Sequence, residues 1–304
     1  MNKALIPELT EDEILAVQLR HWQMLINEEL KRKKFRIPIH LGLGTEAVAA
    51  AVSAAMASGD KLLLTHRNIA YNLARSRNPK AVVDEYEMKA SGMASGRLGS
   101  MNLSNPEAGV VYSSSILANN ISVSCGFAYA QKIAADRSIT FALTGDGAIE
   151  EGAFYEGLVF ARASRLPLMV IIDNNNYSMA SKISERRNEI DFEKLCLSIG
   201  IKFLGLDGNS IPDYVSALKD AKNDLLENDR PVLVEVKTSL LNQHAGATPG
   251  WPGDPMKVEI SNGLIIAEDM TDPIYVIKKK YGYKLFNDIE AKEMSENYGL
   301  KLDE

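Results

Sequence analysis

The chain has 304 residues, 46% of them hydrophobic, and a formal net charge of −6. That size and apolar content give a substantial core and exclude a disordered chain, while an acidic balance without a sustained basic stripe excludes nucleic acid as the main partner. The two cysteines, Cys125 and Cys196, stand far apart without metal-type spacing and read as reduced core thiols of a cytoplasmic protein.

The first predicted element is a helix. Thr10 and Glu13 make a capping box, and Ile14, Val17, Leu25 and Leu30 carry its apolar positions to the basic cluster Lys31–Lys34, a solvated helix end. Glu8, Glu11, Asp12 and Glu13 stand where a signal peptide needs a positive start, and no segment approaches a membrane span. Gly42-Leu43-Gly44-Thr45-Glu46 then opens an alanine-rich helix to about Met56. Leu62–Leu64 is a short strand, followed by Thr65-His66-Arg67. Residues 91–115, rich in glycine and serine turns, form a long surface loop of a length that is usually functional or disordered, with a strand at Val110–Tyr112 inside it. The segment Asn119–Ala135 reads as a buried helix.

The central unit is the most informative. The apolar run Ile139–Leu143 leaves a strand, turns through Gly145-Asp146-Gly147, and continues with Phe154, Leu158 and Ala161 at helical spacing. A second apolar run, Leu168–Ile172, reads as a buried strand that ends at Asn174-Asn175-Asn176. Further strands at Lys202–Leu206 and Val232–Val236 flank a helix opened by Ser210, Pro212 and Asp213. Two amphipathic helices, near Pro273–Tyr281 and Asn287–Asn297, complete the series. Alternating strands and helices predict a doubly wound α/β fold with a mostly parallel sheet flanked by helices. No repeat or linker divides it, so residues 1–304 are expected to form one domain with N-terminal helices and a C-terminal helical tail.

A right-handed strand–helix–strand crossover sets its two strands parallel and brings both polar ends to one edge, where open sheets bind ligands. The usual dinucleotide fingerprint G-x-G-x-x-G opens no helix here, and a phosphate loop ending in Gly-Lys-Ser/Thr is absent. What remains is Gly-Asp-Gly. Its glycines let backbone approach a phosphate at a helix start, while Asp146 supplies a hard oxygen that repels bare phosphate. A divalent cation between them removes the conflict, and an asparagine oxygen with a backbone carbonyl from the second strand end completes a magnesium shell. The spacing therefore suits a magnesium-bridged diphosphate.

Gly145-Asp146-Gly147 joined across one crossover to Asn174-Asn175 resembles the thiamine-diphosphate binding pattern. "GLGTEAVAAAV", "LLTHRNIAYNLARS", "SGRLGSMNLSNPE", "GDGAIEEGAFYEGLVFARASRLPLMVIIDNNNYS" and "TDPIYVIKKKYG" are similar to the alpha subunit of the E1 component of 2-oxo acid dehydrogenase complexes and its acetoin dehydrogenase relatives, over almost the whole length. The resemblance implies the diphosphate-binding domain of the thiamine-diphosphate fold, with thiamine diphosphate and Mg2+ as cofactors. It implies Asp146, Asn175 and the Tyr177 main-chain oxygen as metal ligands. Gly145, Gly147 and Ala148 would frame the diphosphate, Arg67 would pair with its oxygens, and the Leu117 main chain would meet the aminopyrimidine. His66, and His244 in "NQHAGATPGWPGDP", would be the catalytic histidines, the latter also near the diphosphate.

The implied activity is decarboxylation of a 2-oxo acid, or cleavage of a related ketone, with transfer of the acyl or aldehyde unit. An E1 beta-like subunit would supply the activating glutamate in an α2β2 assembly, because the residues beyond Ser239 are too few for a second α/β domain; a lipoyl acyltransferase would be a further partner. Where the family commonly carries histidines this chain has Ile69, Tyr71, Asn102 and Asn242, and Leu240 replaces an arginine. Those changes remove proton-transfer groups, so carboligation or transfer to another acceptor such as a sugar stays open. Two alternatives stand beside this expectation. One is a split transketolase-type N-terminal subunit, whose Ser-Gly-His-Pro-Gly signature is missing; the other is a non-catalytic assembly subunit of the same fold.

Overall fold

A computed structural model describes residues 8–135, 137–242, 258–296, 298 and 300. Apolar runs too short for long helices become strands β1 (Lys61–Thr65), β2 (Val110–Ser114), β3 (Thr140–Gly145) and β4 (Leu168–Asn174). A two-residue pair follows, β5 (Tyr177–Ser178) and β6 (Ser181–Lys182), then β7 (Lys202–Leu206) and β8 (Val232–Lys237). Six strands pair in parallel in the order β2-β1-β3-β4-β8-β7, and β5 and β6 form a separate antiparallel ribbon. From β1 the chain first crosses to β2 on one side and then to β3 on the other. That reversal opens a crevice at the carboxyl ends of β1 and β3.

Helices cover both faces: α1 (Glu11–Lys31), α2 (Glu46–Ala55), α3 (Ile69–Ser76), α4 (Pro79–Tyr86), α5 (Asn119–Ile133) and α6 (Gly152–Ala163). They continue with α7 (Ile183–Arg186), α8 (Phe192–Ile199), α9 (Ile211–Asn228), α10 (Pro273–Tyr281) and α11 (Tyr283–Met294). Strand side chains alternate between faces, and so does the core. Phe141, Leu143, Met169, Ile171, Val232 and Val234 pack into one buried cluster with α1, α2, α3 and α9. Ala142, Leu168, Val170, Ile172 and Leu233 pack into the other with α5, α6 and α8. Both sheet faces are therefore dry, which is why the strands read as continuous apolar runs.

The expected capping box is formed: Glu13 N donates to Thr10 Oγ1 at 3.2 Å, and Thr10 N donates to Glu13 Oε2 at 2.9 Å. Two expectations change, and a third, the glycine-serine loop, is met. The segment expected to be a buried helix, α5, buries Ile121, Ser124, Cys125 and Ala128 but leaves Tyr129 45% and Ile133 72% exposed, because only one of its faces meets the sheet. The second C-terminal helix begins at Tyr283 instead of Asn287 and ends at Met294. The glycine-serine loop is held from below and not by its own periodicity. Buried Glu85 accepts backbone N–H bonds from Ala94, Gly96, Leu98 and Gly99 at 2.7–3.1 Å. Among the described residues no helix is long and apolar enough to cross a membrane.

Candidate functional site

The crevice at the β1/β3 reversal contains a pocket built from strand ends and the turns that follow them. Of the residues expected from sequence, it gathers His66, Arg67, Leu117, Gly145, Asp146, Gly147, Ala148, Asn175 and Tyr177. His244 lies outside the described residues. β3 and β4 run in register, Gly145 opposite Asp173, so Asp146 and Asn175 leave neighbouring strand ends together. The convergence expected from one crossover is present.

Asp146 is 1% exposed. Its Oδ2 accepts from Arg186 Nη2 at 2.7 Å, whereas its Oδ1 is buried with no hydrogen-bond partner among the described residues. Burial outweighs the Arg186 charge, and with a contribution from Asp173 it pushes the Asp146 carboxyl up to about 6. Thr144 Oγ1 and the Tyr71 hydroxyl line the same pocket and are likewise buried without partners. Orphaned polar atoms are rare in folded proteins, and three of them on residues that line one cavity suit a polar ligand. A carboxylate oxygen, an amide oxygen and a backbone carbonyl are the hard donors that magnesium takes. Asp146, Asn175 and Tyr177 thus fit a magnesium-bound diphosphate in chemistry and placement.

Asn175 is shaped by its own turn. Its side-chain oxygen accepts from Tyr177 N at 3.1 Å, and Asn176 takes a left-handed conformation at φ 66° that turns the chain into the β5–β6 ribbon. The ribbon returns Ser178 against Gly147: a Cβ added at Gly147 would collide with Ser178 Oγ and Cβ. Glycine is required there by close approach and not by backbone angle, since Gly147 has φ −76°. Gly145 has open space where its Cβ would stand.

Arg67 is nearly buried and donates from Nη1 to Leu41 O at 2.6 Å. Desolvation lowers it to about 10, partly offset by Asp173, so it stays cationic at neutral pH beside the pocket. Asp173 itself, bonded to Thr238 Oγ1, is raised by burial. His66 packs edge-on against His40, with ring centroids 4.7 Å apart. Leu117 is 45% exposed at the rim. Of the residues that replace family histidines, Tyr71 alone lines this pocket among the described residues; Ile69 is buried, Asn102 is exposed and Asn242 is half-buried away from it.

Sequence reasoning missed Arg186, Thr144, Asp173 and His40. Arg186 is forty positions from its partner Asp146, so no local pattern announces the pair. Asp173 was visible only as the residue before the asparagine run, and Thr144 only as the residue before Gly145.

The fold is one that a solved transketolase shares. Transketolase from Campylobacter jejuni superposes with a TM-score of 0.60 at 19% identity, covering 93% of this chain and 46% of that one. The dehydrogenase E1 component family matches residues 16–250, and the chain belongs to that family. Relatives include the pyruvate dehydrogenase E1 component subunit alpha of Rickettsia felis, 30% identical over 240 residues, which are 79% of this chain and 72% of that protein. A mitochondrial pyruvate dehydrogenase E1 component subunit alpha-2 of Arabidopsis thaliana is 27% identical, covering 98% of this chain and 75% of that protein.

Proposed function

We propose that this chain is the alpha subunit of a thiamine-diphosphate-dependent 2-oxo acid dehydrogenase of the pyruvate dehydrogenase E1 type. The observation that carries the proposal is the pair Asp146 and Asn175 at adjacent parallel strand ends, with Asp146 Oδ1 buried and unpartnered in the pocket between them. Asp146 Oδ1, the Asn175 side-chain oxygen and the Tyr177 carbonyl would hold magnesium. The amides of Gly147 and Ala148 would meet the diphosphate, Gly145 would leave it room, and Arg67 would neutralise it with its fixed fork of donors. The Leu117 main chain would face the aminopyrimidine. Thiamine diphosphate would supply a nucleophilic ring carbon for the 2-oxo carbonyl and a cationic ring able to take up the electron pair released on decarboxylation. His66, backed by His40, and His244 are assigned the proton traffic.

The same reading gives residues 1–304 one diphosphate-binding domain and calls for a beta-like subunit in an α2β2 assembly, with a lipoyl acyltransferase as acyl acceptor. An apolar surface supports the partner: Ile116 and Leu117 at the pocket rim, and Tyr129, Ile133, Val159 and Phe160 on the adjacent helices α5 and α6, are all at least 45% exposed. Exposed apolar side chains grouped in this way usually mark an interface. The two unpaired cysteines suit the reducing cytoplasm.

Titration of the purified chain, alone and with its copurifying subunit, with thiamine diphosphate in the presence and absence of magnesium tests the proposal. Binding that requires magnesium is the expected result, and its absence in both preparations would overturn the reading. Magnesium-dependent binding without 2-oxo acid turnover in the full assembly would instead select a non-catalytic subunit, a reading favoured by Ile69 and Tyr71, which bring no imidazole to this side of the site.

A further inference from the structure

Tyr71 lies in the first turn of α3, which starts four residues after the last residue of β1. Its ring is 3% exposed, and its hydroxyl is buried with no hydrogen-bond partner among the described residues. It lines the same pocket as Arg67, Thr144, Asp146 and Asp173. Leaving a phenol unpaired in a protein interior is unfavourable, and phenylalanine would fill the same volume without that penalty. Packing therefore does not account for the oxygen. Helical side chains lean toward the N-terminus of their helix, which here aims the Tyr71 hydroxyl at the sheet edge where Arg67 emerges.

The partner of that hydroxyl must be an acceptor. Burial, reinforced by the negative field of Asp173, raises the phenol well above its ordinary value, so it holds its proton and donates throughout the physiological range. Arg67 and the start of an eight-residue helix add positive potential at the same spot, which favours an anionic acceptor. Asp173 is already engaged by Thr238.

We propose that Tyr71 is a further ligand-binding residue of this site, its hydroxyl donating a hydrogen bond to a phosphoryl oxygen that Arg67 also faces. This rests on the reading of the pocket as a magnesium–diphosphate site. Tyr71 then reads the anion directly, replacing part of the hydration that the diphosphate loses on entry.

Calorimetric titration of the full-length chain with magnesium pyrophosphate, and of the chain with its copurifying subunit with magnesium and thiamine diphosphate, tests the assignment on wild type and Tyr71→Phe. The Phe variant should bind both ligands about tenfold more weakly, the usual worth of a hydrogen bond to a charged group. Its ligand-free melting temperature should equal or exceed that of the wild type, because the orphaned hydroxyl is gone. A Phe variant that binds pyrophosphate within twofold of wild type overturns the assignment, and a raised KM for the 2-oxo acid in that case moves the hydroxyl to the substrate. A wild-type chain that binds neither ligand overturns the diphosphate reading itself, which separates the two failures. Should the Phe variant misfold, Tyr71→His keeps the test: it restores a donor, and pyrophosphate affinity closer to wild type than that of Tyr71→Leu is then required.

Discussion

Two buried acids meet arginines and end in opposite states. Asp272, fully buried, receives Arg20 Nη2 on Oδ1 at 3.0 Å and Nη1 on Oδ2 at 3.1 Å, and also accepts backbone N–H bonds from Ile266, Ala267 and Ile274. Arg20 in turn binds Glu46 through Nε at 2.7 Å and Nη2 at 3.0 Å, and Glu46 takes the N–H of Gly44. Every lone pair in that cluster has a use, and Asp272 is held below its ordinary value despite its burial. Asp146 has one arginine on one oxygen and, among the described residues, nothing on the other, and burial wins: the carboxyl rises to about 6. The satisfied cluster ties α1, α2 and the segment before α10 together. The unsatisfied one keeps Oδ1 without a partner among the described residues, where the proposed cation would bind. Completeness of hydrogen bonding separates a charge kept for structure from a charge kept for a ligand.

The contrast breaks most visibly at Arg20. Arg20→Leu leaves Glu46 and Asp272 as uncompensated buried anions, which costs about 3–5 kcal/mol. The melting temperature should fall on the order of 10 °C by scanning calorimetry. A fall of only a degree or two would show the cluster to be nearly neutral in stability and would remove the distinction drawn above.

At the other acid the expected loss lies in binding. Asp146→Asn keeps the shape and removes the anionic oxygen, so magnesium-dependent pyrophosphate affinity should drop at least about 100-fold in the same calorimetric titration. Folding stability should shift by less than about 1 kcal/mol, since the penalty of the buried charge and its Arg186 pairing leave together. Acidity gives a finer measure. Because magnesium needs the carboxylate, the ratio of wild-type to Asp146→Asn affinity, in which the ligand's own ionisation cancels, should fall below about pH 6 and be flat above it. Stability runs with the opposite sign. The folded chain holds the Asp146 proton between the ordinary value of 3.8 and about 6, so this group makes the ligand-free protein less stable as pH rises through that window. Asp272, lowered instead, contributes stability above its ordinary value that is lost as pH falls through the lowered one. Unfolding curves of Asp146→Asn and wild type between pH 4 and 7 isolate the first slope.

How much of this was legible beforehand follows the same division. β3, α6 and β4 could be read because apolar runs buried on both faces and a glycine turn are local signals, and the same stretch carries Asp146 and Asn175. α3 and α4, eight residues each, are too short for periodicity to declare them, and with α3 the surroundings of Tyr71 went unread. α5 looked buried because alanine, serine and glycine suit a core, yet the sequence does not say whether an apolar face meets its own sheet or a partner. Tyr129 and Ile133 point outward, and that difference is tertiary. Arg186 and Arg20 were invisible for a common reason: a buried arginine is recognised by what surrounds it, and their partners are forty and twenty-six or more positions away.

The smallest expected effect probes the edge of the satisfied region, where its bookkeeping is most redundant. Thr10 caps α1, and Glu13, the other half of the box, also receives Lys280 Nζ at 2.8 Å and the Tyr281 hydroxyl at 2.7 Å from the end of α10. Thr10→Ala removes one acceptor at the helix start and leaves those two contacts in place, so the loss should be about 1 kcal/mol. Pyrophosphate binding should be unchanged, because the cap and the pocket share no residue. A larger loss, equal to that of Glu13→Ala, would mean that the cap and the α10 contacts act as one unit, since groups in one network do not add independently. The N-terminal helix would then be anchored by its capping turn, and the Arg20 cluster would depend on that turn for its register.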